Sequence, residues 1–82
     1  MRAYILITTK PGTSEQLLKA LKDTAKVPGV VAADSVYGRF DAIVVIEAQS
    51  LEKLSEVVYK VIEKNPNIVH TETSISLFES EK

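Results

Sequence analysis

The stretch Val36-Tyr37-Gly38-Arg39-Phe40-Asp41 gathers more candidate chemistry than any other part of this 82-residue chain. It reads as the tip of a hairpin. Gly38 admits a positive φ that other residues avoid. Asp41 supports two roles. It can accept from turn N–H groups and brace the hairpin. It can instead face a ligand ammonium, while turn N–H groups meet a carboxylate. The residues alone leave both roles open.

The remaining candidates are weaker. His70 is the sole histidine, and a zinc site needs several ligands. On an edge strand it reads as a surface or interface residue. The serines sit in no G-x-S-x-G elbow, and no nucleophile–base pair is legible. The three glycines, Gly12, Gly29 and Gly38, fall in no phosphate-cradling spacing. Eleven acidic residues allow many carboxylate pairs, none of them distinguished. No catalytic residue, metal or cofactor is expected. Tyr59 falls on the charged side of its helix, among Glu52, Glu56 and Glu63, as an anchor for a subunit contact or an ordinary surface aromatic.

Size and charge narrow the class. The length fits one domain over residues 1–82, with no room for a second. A chain this small buries about 60–65% of its unfolded surface. Without cysteine it has no disulfide or thiolate metal site. Oligomerisation is the remaining common source of stability. Net charge is −1, and the lysines are spread among glutamates, which argues against direct nucleic-acid binding. No apolar run reaches the roughly 18 residues of a membrane span. The start leads straight into strand-like sequence without a signal peptide, so a cytoplasmic location is expected.

The elements that hold the hairpin follow from periodicity. Ala3–Thr9 reads as a strand. Lys10-Pro11-Gly12 is turn punctuation, and Thr13-x-x-Gln16 fits a capping box. Leu17, Leu18, Leu21 and Ala25 then make a helical apolar face, ended by Val27-Pro28-Gly29. Val30–Tyr37 and Asp41–Ala48 are antiparallel strands around the tip. Ser50 caps a second helix with the stripe Leu51, Leu54, Val57, Val58, Val61 and Ile62. Asn65-Pro66-Asn67 stops it, Ile68–Phe78 is the last strand, and Glu79–Lys82 is a polar tail. The order βαββαβ with right-handed crossovers gives an α+β, ferredoxin-like fold. Two helices then cover one face of a four-stranded antiparallel sheet.

The two central strands are apolar on both faces, as Tyr4-Ile5-Leu6-Ile7 and Ile43-Val44-Val45-Ile46 show. Helices can cover only one. Either Tyr4, Leu6, Ile43 and Val45, or Ile5, Ile7, Val44 and Ile46, would be bare in a monomer. Such a patch marks an interface, so a dimer through the open sheet face is expected.

Four features in order carry a family resemblance: Pro11-Gly12 before the first helix; Val27-Pro28-Gly29-Val30; Val36-x-Gly38-x-x-Asp41; and Asn65-Pro66-x-Ile68-Val69-x-Thr71-x-Thr73. This resembles the effector domain of the Lrp/AsnC transcriptional regulators, also called RAM. No winged helix-turn-helix fits before the first strand, so the chain resembles the stand-alone type, and the family's DNA binding does not carry over. The resemblance implies face-to-face dimers that join into rings, often octamers, with small amino acids bound between dimers. By motif position the ligand would meet Tyr37, Gly38, Arg39, Phe40 and Asp41, with Thr71 and Thr73 from a neighbouring subunit. Arg39 and Phe40 occupy variable positions and bear on ligand choice. Three readings follow: an amino-acid-binding module acting alone or on a partner regulator, a structural module with a vestigial pocket, or a small dimeric enzyme. The enzyme reading lacks an acid–base pair.

Overall fold

The computed structural model describes residues 1–63 and 65–78. The polar tail expected at 79–82 lies outside the described residues. Strands β1 (Arg2–Thr9), β2 (Val30–Ser35), β3 (Ala42–Glu47) and β4 (Ile68–Ile75) alternate with helices α1 (Ser14–Thr24) and α2 (Leu51–Glu63) in the order βαββαβ. They form one antiparallel sheet, ordered β2-β3-β1-β4. This is the ferredoxin-like arrangement, with β1 and β3 central as the sequence predicts. Among the described residues, no helix is long and apolar enough to cross a membrane.

Strand parity decides which apolar set is covered. Ala3, Ile5 and Ile7 of β1 lie opposite Ile46, Val44 and Ala42 of β3. All six are completely buried, in one cluster with Leu17 and Leu21 of α1 and Leu54 and Val61 of α2. The alternate set, Tyr4, Leu6, Ile43 and Val45, stays half-buried on the open face. Asp34 lies opposite Ile43, and Glu72 opposite Leu6, on that same face.

Both helices bury narrower stripes than periodicity predicts. Leu18, Leu51 and Ile62 are exposed, because so short a helix sets only its innermost residues against the sheet. The predicted capping box does not form. Thr13 has a φ of −107° and a ψ of 25°, outside the extended cap geometry, and makes no side-chain cap. Its hydroxyl donates to the Lys10 carbonyl at 2.6 Å instead, which tightens the turn. Ser50 does cap α2, accepting from the Lys53 N–H at 3.2 Å. Asn65 does more than stop α2. Its Nδ2 donates to the Val61 carbonyl at 2.7 Å and to Thr24 Oγ1 at 3.1 Å, which ties together the C-terminal ends of both helices.

Strands β2 and β4 end before the expected Tyr37 and Phe78. β2 stops at Ser35 because the chain already turns towards Asp41. β4 stops at Ile75, after which the Ser76 amide still reaches the Arg2 carbonyl at 2.8 Å.

Gly29 is the tightest point of the backbone. Its φ is +98°, and a Cβ there would stand 2.9 Å from Val57 Cγ2 and 3.4 Å from the Glu47 carbonyl. Its own carbonyl accepts from the Glu47 N–H at 2.9 Å, so the segment cannot swing away freely. Gly29→Ala combines left-handed strain with crowding. It is expected to destabilise the fold by about 2 kcal/mol or more. A thermal melt should fall by roughly 10 °C for a domain of this size. An unchanged melt would refute this account of β2 entry.

Candidate functional site

The hairpin that carries Tyr37–Asp41 is held at its base. The Val36 N–H donates to the Asp41 carbonyl at 3.0 Å, and the Asp41 N–H donates to the Ile7 carbonyl at 2.8 Å. The Asp41 side chain does not cap its own turn. Its Oδ2 accepts from the Thr9 N–H at 2.8 Å and from Thr9 Oγ1 at 3.2 Å, bracing the hairpin against the end of β1. Both bonds fall on Oδ2, and among the described residues Oδ1 receives none of the hydrogen bonds that hold the turn. This part-buried carboxylate therefore braces the fold and keeps one oxygen for another donor.

The other tip residues point outward. Tyr37 is fully exposed, and Gly38 and Arg39 are also exposed. The Arg39 guanidinium lies 5.7 Å from the centroid of the half-buried Phe40 ring, within cation–π range. Gly38 departs from expectation, since the positive φ values belong to Gly12 and Gly29. A Cβ on Gly38 would meet nothing within 4 Å. Its own chain does not require a glycine there, so any steric need comes from what approaches the tip. Gly38→Ala is accordingly expected to leave the melting temperature unchanged or slightly raised, while weakening a ligand that packs on the tip. A calorimetric titration paired with a melt checks this, and a clear drop in stability would contradict it.

Asp41 also borders a hollow of about 400 Å³ that sequence reading missed. Thr9, Lys10, Thr13, Ser14, Ser35 and Val36 line it with Asp41. Lys10–Ser14 read in sequence only as a turn and a cap. Their place beside Asp41 follows from the register that sets Ile7 opposite Ala42.

Thr71 and Thr73 are not beside the tip in the same subunit. They lie opposite Ile7 and Ile5 on β4, so β1 separates them from β3. That is two strand spacings, about 10 Å. Both take the helix-side parity. Thr73 lines an apolar groove of about 400 Å³ with Leu54, Val58 and Tyr59 of α2 and with Ile75. His70 is exposed on the open face, its Nε2 3.4 Å from Glu72 Oε2. Among the described residues, no cluster of three or more potential metal ligands occurs.

The profile of the Lrp/AsnC ligand binding domain matches residues 2–81. The chain belongs to the Lrp/AsnC ligand-binding family. No curated protein sequence gives a significant match. Among solved structures, the Lrp/AsnC domain described here is similar to the hypothetical protein PHS023 from Pyrococcus horikoshii. The identity is 33%, covering 95% of this chain and 90% of that one, with a TM-score of 0.72. It is similar to FFRP-DM1 at 32% identity, covering 93% and 97% of the two chains, with a TM-score of 0.74. The transcriptional regulator NMB0573 from Neisseria meningitidis, solved as an L-Met complex, shares the fold at 16% identity and a TM-score of 0.76. There the match covers 99% of this chain and 52% of that one. The Lrp/AsnC family is one of regulatory ligand-binding domains, in keeping with an effector-binding module.

Proposed function

We propose that this chain is an oligomeric amino-acid-binding module that works without catalysing a reaction. A free amino acid binds beside Gly38–Asp41, with Thr71 and Thr73 of a neighbouring subunit closing the site. The observation that carries this reading is the Asp41 carboxylate. Two bonds from Thr9 fix it beside a hollow, and Oδ1 is left to accept from a ligand. A zwitterion shielded from water needs acceptors for its ammonium and donors for its carboxylate. Asp41 and the turn carbonyls supply the first. The turn N–H groups, Thr71 and Thr73 supply the second. The separation of β4 from the tip within one subunit supports a shared site. The L-Met complex of a regulator with this fold supports an amino acid as the class of ligand.

Assembly begins with a dimer through the open face carrying Tyr4, Leu6, Ile43 and Val45. Dimers then join into larger rings, octamer-like in form. The module acts in the cytoplasm without direct nucleic-acid contact, alone or by modulating an Lrp-like partner regulator.

A thermal-shift panel of the twenty L-amino acids tests this reading. A ligand specific for the native state stabilises it by RT ln(1 + [L]/Kd), about 2.7 kcal/mol at a hundredfold excess over Kd. At least one amino acid should raise the melting temperature by several degrees at millimolar concentration. If none does, the sensor reading fails, and a structural module with a vestigial pocket replaces it.

A further inference from the structure

The last residue of β1 sits at a junction of three segments. The register between β1 and β4 shifts between Thr8 and Thr9, so that Thr8 lies opposite His70 but Thr9 lies opposite Ile68. Next along the chain, the Lys10 N–H donates to the Asn67 carbonyl at 3.0 Å. Towards β3, the Asp41 N–H ends the ladder on the Ile7 carbonyl. Two residues later the Thr9 N–H meets the Asp41 carboxylate in place of a backbone carbonyl. The Thr9 hydroxyl converges on the same oxygen. Backbone pairing therefore fixes Thr9 before its side chain acts, and Thr9 in turn fixes the orientation of Asp41.

We infer that Thr9 is a positioning residue for the amino-acid site: its hydroxyl holds Asp41 Oδ2 so that Oδ1 faces the ligand ammonium. The inference rests on the proposed function above. The backbone N–H bond restrains Oδ2 from one direction, and the carboxylate, tethered through its Cβ, can still rock about that contact. A second donor at the same oxygen restricts that motion. Pre-organisation of this kind raises affinity by lowering the ordering cost of binding. The hydroxyl donates to Asp41, so an effect exerted through Asp41 should follow the ligand group that Asp41 receives.

The test uses the whole protein, the amino acid giving the largest shift in the twenty-member panel, and that ligand's α-hydroxy acid analogue. The analogue keeps the carboxylate and side chain and replaces the ammonium with a hydroxyl. Thr9→Val keeps the β-branched shape and the backbone N–H but deletes the hydroxyl. It should weaken the amino acid by roughly five- to tenfold, the size of one hydrogen bond. The hydroxy acid should change by less than about twofold. Thr9→Ser restores the donor and should return the amino-acid affinity to near wild type, even if it melts lower through weaker strand propensity. The Asp41 carboxyl carbon resonance of the unliganded protein should move in Thr9→Val and stay in place in Thr9→Ser. Wild-type affinity in Thr9→Val, or equal losses for both ligands, would overturn the positioning role while leaving the site itself standing. If the wild type binds no amino acid, the proposed function falls, and Thr9 reverts to a brace of the hairpin alone.

Discussion

Asp41→Ala is expected to weaken amino-acid binding by at least about tenfold, or about 1.4 kcal/mol. Truncating one partner of a buried charged pair commonly costs about 2–5 kcal/mol. The loss is expected near the lower end because Asp41 is only part-buried and, in the proposed site, turn carbonyls would share the ammonium. The same substitution removes both bonds to Thr9, so it also loosens the hairpin. Asp41→Asn separates the two effects. Its amide oxygen still accepts from Thr9, but the negative charge is gone. Asp41→Asn should therefore keep the melt and the assembly mass of wild type while losing most of the affinity. Unchanged calorimetric affinity in Asp41→Asn, with the assembly intact, would place the ligand elsewhere.

A carboxylate in the middle of the open sheet face is expected to break the assembly. Val45 lies opposite Tyr4 on one side and Ala32 on the other. In a lone subunit Val45 is half-buried, so Val45→Glu can turn its charge towards water at small cost. In a dimer through this face, two symmetry-related carboxylates would be buried without partners. That costs several kcal/mol per ion, more than a marginal interface can absorb. Light scattering should show a monomer with an unchanged circular dichroism spectrum. A Val45→Glu protein with wild-type mass would remove this face from the assembly. A wild type that is already monomeric at micromolar concentration would do the same.

Strand and helix types were legible in the sequence because β-branched runs and a 3.6-residue apolar period are local properties. The topology followed, since a connection as short as 36–41 leaves only an antiparallel pair. The core four residues of each central strand could not say which apolar set faces the helices, because a strand's side chains alternate and both sets are apolar. The deciding signal lay just outside them. Arg2 and Glu47 share parity with Tyr4 and Val45 and pair across the strands, 3.4 Å apart. Ala3 and Ala42, small and fully buried, share parity with the helix-covered set. Extending the alternation by one or two residues beyond each four-residue run would have fixed the open face.

At the site, the sequence marked Asp41 but not its partner. Thr9 lies 32 residues away, and only the register of β1 on β3 brings the two together. The same register sets the Lys10–Ser14 turn beside the hairpin, where local motifs show only a loop. Gly38 misled for another reason. Glycine at a turn suggests backbone strain, yet the left-handed positions here are Gly12 and Gly29. Leu18, Leu51 and Ile62 overextended the predicted core because helical period marks apolar residues without saying how far a short helix tilts from the sheet.

Native mass spectrometry of the full chain, with the twenty L-amino acids in the buffer, is the decisive experiment. It reads assembly and ligand in one spectrum. The spectrum should show an even-numbered oligomer that carries the added mass of a free amino acid, with the adduct lost in Asp41→Asn while the oligomer persists. A monomer, or an oligomer bearing no amino acid at millimolar ligand, would contradict the proposed function.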